Sequence, residues 1–284
     1  MLETGSVTDL REQVASWRRA DQSVALVPTM GNLHPGHLRL VEHARAMASR
    51  VVVSIFVNPT QFGPGEDLDS YPRTLAADRE KLVAGQADML FTPAVETVYP
   101  LGEGATVLTV PQLSAMLCGA SRPGHFAGVA TVVAKLLHMA QPDVAVFGEK
   151  DFQQLVVIRR LVTDLWLPVH IEGVPTCREA DGLAMSSRNQ YLNDSERAQA
   201  PALYQTLTRL RDQLLAGRTD YAALEREGLQ MLREGGFDPE YIAVRRVADL
   251  QPPEAAGESL VVLGAGRLGR ARLIDNVRVS RETA

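Results

Sequence analysis

From residue 51 to residue 57 the chain reads Val-Val-Val-Ser-Ile-Phe-Val, an almost unbroken apolar run. A strand with one wet face alternates polar and apolar side chains. A run that is apolar nearly throughout predicts instead a strand covered on both faces, and such strands belong to parallel sheets. Val24-Ala25-Leu26-Val27-Pro28 is a second run of this kind, and residues 38–49 between the two read as a helix, completing a βαβ unit with a right-handed crossover. Strands are also expected at 88–92, 144–147 and 167–174, with a short one inside 107–117. Helices are expected at 8–20, 76–84 and 129–140, with another starting within 148–154 and continuing through 165. The fold class is α/β: a Rossmann-like doubly wound parallel sheet over residues 1–175. Near Pro175 the composition turns polar. Beyond it, a long helix capped by Asp194, a second helix over 220–234 and strands at 241–247, 260–263 and 270–279 predict a smaller α+β C-terminal domain, 176–284.

The strand-to-helix turns carry the chemistry. The first is Met30-Gly31-Asn32-Leu33-His34-Pro35-Gly36-His37. Gly31 and Gly36 allow close backbone approach, and Pro35 suits a first helical turn because its missing N–H costs nothing there. The unpaired N–H groups of a helix start favour an anion, and His34 and His37, three residues apart, fall on one side of it; together they point to phosphate. The second turn is Gly148-Glu149-Lys150-Asp151, where Lys150 is a point charge for phosphate and Gln154 lies one helical turn further on. Asn58 and Gln61 leave the carboxyl end of the strand at 51–57, the edge at which such sheets bind ligands. The loop over 62–77 is long and rich in Gly, Pro and acid, and is read as a lid. His125 is read as a turn residue. Gly264-Ala265-Gly266-Arg267-Leu268-Gly269 spells a dinucleotide fingerprint but stands too near residue 284 for the helix, strand and acid that would complete one, so a hairpin turn is expected.

Composition narrows the class. The 284 residues are 45% hydrophobic and carry a formal net charge of −5, which suits a core-forming protein of small-molecule chemistry and argues against a broad nucleic-acid surface. Neither a signal peptide nor a membrane-spanning run is read, so a cytoplasmic protein is expected. Cys118 and Cys177 have neither disulfide-framework nor zinc-ligand spacing.

His34-Pro35-Gly36-His37 resembles the HIGH signature of the nucleotidyltransferase superfamily, whose usual companion is a Lys-Met-Ser-Lys-Ser-like loop; Met185-Ser186-Ser187-Arg188 stands in that place. With Asn58-Pro59-Thr60-Gln61, Asp67-Leu68-Asp69-Ser70-Tyr71-Pro72-Arg73, Arg122-Pro123-Gly124-His125-Phe126 and Gly148-Glu149-Lys150-Asp151, the chain is similar to the family of ATP-dependent ligases that join (R)-pantoate to β-alanine. The resemblance implies a pantoyl adenylate intermediate, formed with release of pyrophosphate and consumed with release of AMP. It implies ATP binding by Met30, Gly31, Asn32, Leu33, His34, Pro35, Gly36 and His37, by Gly148, Glu149, Lys150 and Asp151, and by Cys177, Met185, Ser186, Ser187 and Arg188. His37, His34, Lys150, Ser186, Ser187 and Arg188 would stabilise charge in the reaction. Gln61 and Gln154, with Asn58, would hold pantoate, and Gln61 also β-alanine. Mg²⁺ would accompany the phosphates with Asp78 as a protein contact, the C-terminal domain would close over the site, and the chain would form a homodimer. A plain nucleotidyltransferase is the competing reading. It would need a second basic phosphate site where Gln61 and Gln154 stand.

Overall fold

The computed structural model describes residues 1–254 and 257–279. The chain forms two compact units, one of Met1–Glu149 with Val157–Pro175, the other of Lys150–Val156 with Thr176–Ala284.

The first unit holds six strands: β1 (Leu2–Thr4), β2 (Val24–Thr29), β3 (Arg50–Ile55), β4 (Met89–Phe91), β5 (Val144–Gly148) and β6 (His170–Val174). All pair in parallel, in the order β1-β4-β3-β2-β5-β6. Val51, Val52 and Val53 are fully buried, as expected of a strand covered on both faces. Helices α1 (Val7–Arg19), α2 (Pro35–Met47), α3 (Leu75–Ala84), the short α4 (Val95–Val98), α5 (Pro111–Ser114) and α6 (Cys118–Ser121), then α7 (His125–Ala140), connect and cover the strands, and α8 (Phe152–Asp164) belongs to this unit from Val157 onward. From β2 the chain proceeds through β3 to β4 on one side, whereas β5 and β6 lie on the other. The order therefore reverses between β2 and β5, the switch point outside which open α/β sheets bind ligands. This is the doubly wound sheet expected from the apolar runs.

Three details differ from the pattern reading. β1 is an edge strand whose three residues, Leu2, Glu3 and Thr4, are too few and too mixed to show a period. Residues 107–110 form no strand; Leu108 N–H donates instead to Thr131 Oγ1 of α7 at 2.9 Å. Helix α7 starts at His125, earlier than its apolar run suggests, because Gly124 enters it with φ +84°.

In the second unit β7 (Asp238–Arg246), β8 (Leu260–Leu268) and β9 (Ala271–Val279) form an antiparallel sheet in chain order. It is packed by α10 (Ala202–Leu215) and α11 (Tyr221–Glu234), and preceded by the shorter α9 (Asp194–Gln199). Leu203, Leu207 and Leu210 fall on one stripe of α10 and join Leu224, Leu232, Ile242 and Val262 in the core. The single long helix expected after Asp194 is two helices, since Pro201 has no N–H with which to continue the first. Its N-cap is Asn193, in a reciprocal capping box with Glu196. The glycine-rich stretch is strand followed by hairpin turn. Gly264 lies within β8, where a Cβ would come within 2.9 Å of Leu203 and 2.8 Å of Ile242, and Gly269 makes the turn with φ +55°.

Candidate active site

In the first unit the turn after β2 is fixed atom by atom. Thr29 Oγ1 donates to Ser54 O at 2.8 Å and accepts from Gly31 N–H at 3.2 Å. Gly31 has φ +81° and sits where a Cβ would press within 3.1 Å of Ile55 and 3.2 Å of Asp78 Oδ2, so the position requires glycine. Asn32 follows with φ 49°, also left-handed. The carboxylate of Asp78, projecting from α3, accepts the N–H groups of Asn32 and Leu33, each at 2.8 Å, and the Thr74 hydroxyl at 3.1 Å. Lys81, on the same helix, donates to Leu33 O at 2.6 Å. Asp78 is fully buried, and its oxygens face backbone donors of the turn. It is a carboxylate that holds the backbone of this turn in shape.

Helix α2 begins at Pro35 with His34 as N-cap. His37 Nδ1 accepts the His34 backbone N–H at 3.3 Å, and the two imidazoles lie 4.0 Å apart. An acceptor Nδ1 sets the tautomer, so the neutral His37 ring carries its proton on Nε2, as a donor. Helix start and imidazole thus both offer N–H groups to an anion.

Gln61 ends the single turn Pro59–Gln61 that follows β3. Its Nε2 contacts Met30 Sδ at 3.2 Å and its Oε1 accepts from Asn58 Nδ2, also at 3.2 Å. The turn after β2 and the glutamine expected to hold pantoate therefore meet. Asn58 itself is buried, at 1% exposure. His125, read from sequence as a turn residue, bonds Gln61 O through Nδ1 at 2.8 Å. Its Nε2 lies 2.9 Å from Arg122. Arg122 also pairs with Glu66 of the long loop at 2.5 Å. Burial pushes the Glu66 carboxyl up, but the Arg122 bonds and charge together with the Gly63 N–H outweigh it and hold the group below the usual carboxylate range.

The second unit carries the other predicted residues. Gln154 is half-buried in the first turns of α8, and Lys150 stands two residues beyond β5, its carbonyl accepting from Asn276 Nδ2 of β9 at 3.0 Å. The stretch after Thr176 folds back as a hairpin: Arg178 bridges Ala184, and Met185 N–H donates to Cys177 O at 2.9 Å. Arg178 anchors this hairpin on β9. It donates to both oxygens of buried Asp275, at 2.6 and 3.0 Å, while its guanidinium covers the Tyr204 ring at 3.9 Å. Arg197 holds the hairpin's other side through Glu179 and Asp181, each at 2.6 Å. Ser186 then caps the turn Ser187–Tyr191 by accepting the Arg188 N–H at 3.3 Å. The adjacent residues Asp275 and Asn276 thus secure this hairpin and the Lys150 backbone together. Sequence patterning shows none of this, because single polar residues within strands read as solvated faces.

A family model described as pantoate-beta-alanine ligase matches residues 4–278. The chain belongs to the pantoate-beta-alanine ligase family. It is 56% identical over 280 residues to the pantothenate synthetase of Azotobacter vinelandii, covering 98% of this chain and 99% of that protein. It is likewise 56% identical over 277 residues to that of Methylococcus capsulatus, covering 97% of each. Among solved structures, pantothenate synthetase from Thermus thermophilus superposes with a TM-score of 0.91 at 47% identity, over 99% of this chain and 100% of that one. The pantoate-beta-alanine ligase of Francisella tularensis, complexed with beta-gamma ATP and beta-alanine, matches with a TM-score of 0.83 at 32% identity over the full length of both. The fold is therefore that of the ligase family throughout, in the sheet unit and the smaller α+β unit alike.

Proposed function

We infer that this chain condenses (R)-pantoate with β-alanine to pantothenate at the expense of ATP. A pantoate carboxylate oxygen attacks the α-phosphorus, and the bond to the β-phosphate breaks with its electron pair leaving on pyrophosphate. The amine of β-alanine then attacks the acyl carbon, AMP departs and the amine loses a proton. The observation that carries the reading is the turn after β2: a loop held by Asp78, opening into a helix start with His37 presenting Nε2–H, and touching Gln61 through Met30. Donors fixed before the reaction stabilise charge as it develops without reorganising, and no covalent enzyme intermediate is needed.

In this reading residues 30–37, 148–151, Cys177 and 185–188 hold ATP, and His34, His37, Lys150, Ser186, Ser187 and Arg188 stabilise charge on its phosphates. Gln61 and Gln154 hold pantoate as neutral partners that do not compete with its carboxylate for phosphorus, and Gln61 also serves β-alanine. Among the described residues no group of three His, Cys, Asp or Glu could hold a metal. Mg²⁺ accompanying the nucleotide, with Asp78 as its protein contact, would screen the charge of the phosphates. A cytoplasmic homodimer is the accompanying expectation; no described helix is long and apolar enough to cross a membrane.

Pyrophosphate exchange tests the reaction. With Mg²⁺ and pantoate but no β-alanine, labelled pyrophosphate should enter ATP, because adenylate formation is reversible while the anhydride stays bound. Lys150→Ala should remove most of this exchange. Exchange that appears only with β-alanine would indicate a single-step ligation, and exchange driven by a phosphate-bearing acceptor would indicate a plain nucleotidyltransferase.

A further inference from the structure

Asn58 is the centre of a buried hydrogen-bond network in the first unit. Its Oδ1 accepts from Tyr99 Oη at 2.7 Å and from Thr60 Oγ1 at 3.0 Å. Its Nδ2 faces Gly128 O and Gln61 Oε1, both at 3.2 Å. A backbone carbonyl can only accept, so the Asn58 atom turned towards Gly128 must be nitrogen. The same NH₂ supplies the bond to Gln61, and the Gln61 atom that receives it must in turn be oxygen. The polarity of the Gln61 amide is therefore set by Gly128, through Asn58. What Gln61 turns the other way is its NH₂, which rests on the Met30 thioether, a weak acceptor that a better one can replace.

The two ends of this network are rigid. Gly128, on α7, admits no side chain: a Cβ there would come within 2.4 Å of Thr60 O and 2.7 Å of Gln61 N, so helix and turn are in backbone contact. Tyr99 is buried to 5% exposure, with the Lys135 ammonium 5.1 Å from its ring centre.

We propose that Tyr99, Thr60 and Gly128 are positioning residues for pantoate, fixing Gln61 through Asn58 as an obligate N–H donor to the substrate's acceptor oxygens. This rests on the reading of Gln61 as a pantoate ligand. A freely rotating Gln would present oxygen as readily as nitrogen and would repel a carboxylate in half its orientations. A fixed donor favours carboxylate and hydroxyl oxygens over ammonium groups.

The test is pantoate-dependent pyrophosphate exchange in Tyr99→Phe and Thr60→Val, each of which removes one donor to Asn58 Oδ1 and neither of which touches substrate in the proposal. Both should raise the KM for pantoate about three- to tenfold, the worth of one hydrogen bond, while the KM for ATP and the rate at saturating pantoate stay near native. Asn58→Asp, which sets an oxygen against Gly128 O, should have the same signature and a larger effect. Unchanged pantoate KM in both hydroxyl variants, or parallel rises in the two KM values, would overturn the proposal. Gln61→Ala separates the two levels of the argument. If it leaves pantoate KM unchanged, the reading of Gln61 as a ligand fails and the proposal with it. If it raises pantoate KM while the hydroxyl variants do not, the proposal alone fails.

Discussion

His37 and His34 share a helix start and differ in how they are held. The His37 ring is oriented by a backbone N–H at Nδ1, whereas His34 occupies the N-cap position itself. Oriented donors commonly contribute about 10²-fold or more to a rate, so His37→Ala should slow adenylate formation by that order, with His34→Ala milder. Calorimetry should show both variants melting near the native temperature, and a large drop in melting temperature accompanying the loss would make the pair structural. Asp78→Asn tests the loop from beneath. The amide would set an NH₂ against N–H donors that now face oxygen, so we expect about 1–3 kcal/mol of lost stability together with a raised KM for ATP. Native kinetics in this variant would show that the loop holds its form without the carboxylate.

At the scale of elements, the loop over 62–77 is fastened by the Glu66–Arg122 pair to the turn between α6 and α7. The folded-state pKa of Glu66 lies below its ordinary value of 4.5, so the pair's stabilisation is complete above that value and is lost as pH falls through the folded pKa. The melting-temperature gap between the native chain and Glu66→Gln should hold steady from about pH 5 to 8 and close below about pH 4.5. A gap that widened in acid would contradict the assignment. The doubly wound sheet was legible because β-branched residues in unbroken runs have few other places to go. The HIGH turn was legible because glycine, proline and histidine at that spacing serve few other ends. Asp78 was not, since one acid in a helical segment looks like a solvated charge and its partners lie up to 46 residues away. Nor was the Tyr99–Asn58 bond, which spans 41 residues. Such contacts are products of the fold and leave no local period to read.

At the scale of the molecule, the chain passes between its two units three times, after Glu149, after Val156 and after Pro175. The second unit therefore includes a seven-residue piece, Lys150–Val156, that no single cut near Pro175 can assign to it. A fragment of 176–284 would lack Phe152, whose ring lies 5.2 Å from the Arg278 guanidinium, and would leave Asn276 without the Lys150 carbonyl. We expect that fragment to melt without a sharp transition, and a fragment starting at 150 to recover one. Equal cooperativity in the two would show that the piece is dispensable. The same crossing sets a timetable on the ribosome. Phe152 and Leu155, buried in the finished protein, leave the exit tunnel long before β9, 123 residues after Val156 at its far end, has been made. At about 5–20 residues per second roughly 6–25 seconds separate Val156 from the end of β9, an interval in which Phe152 lacks Arg278 and a chaperone that holds hydrophobic segments would find its substrate.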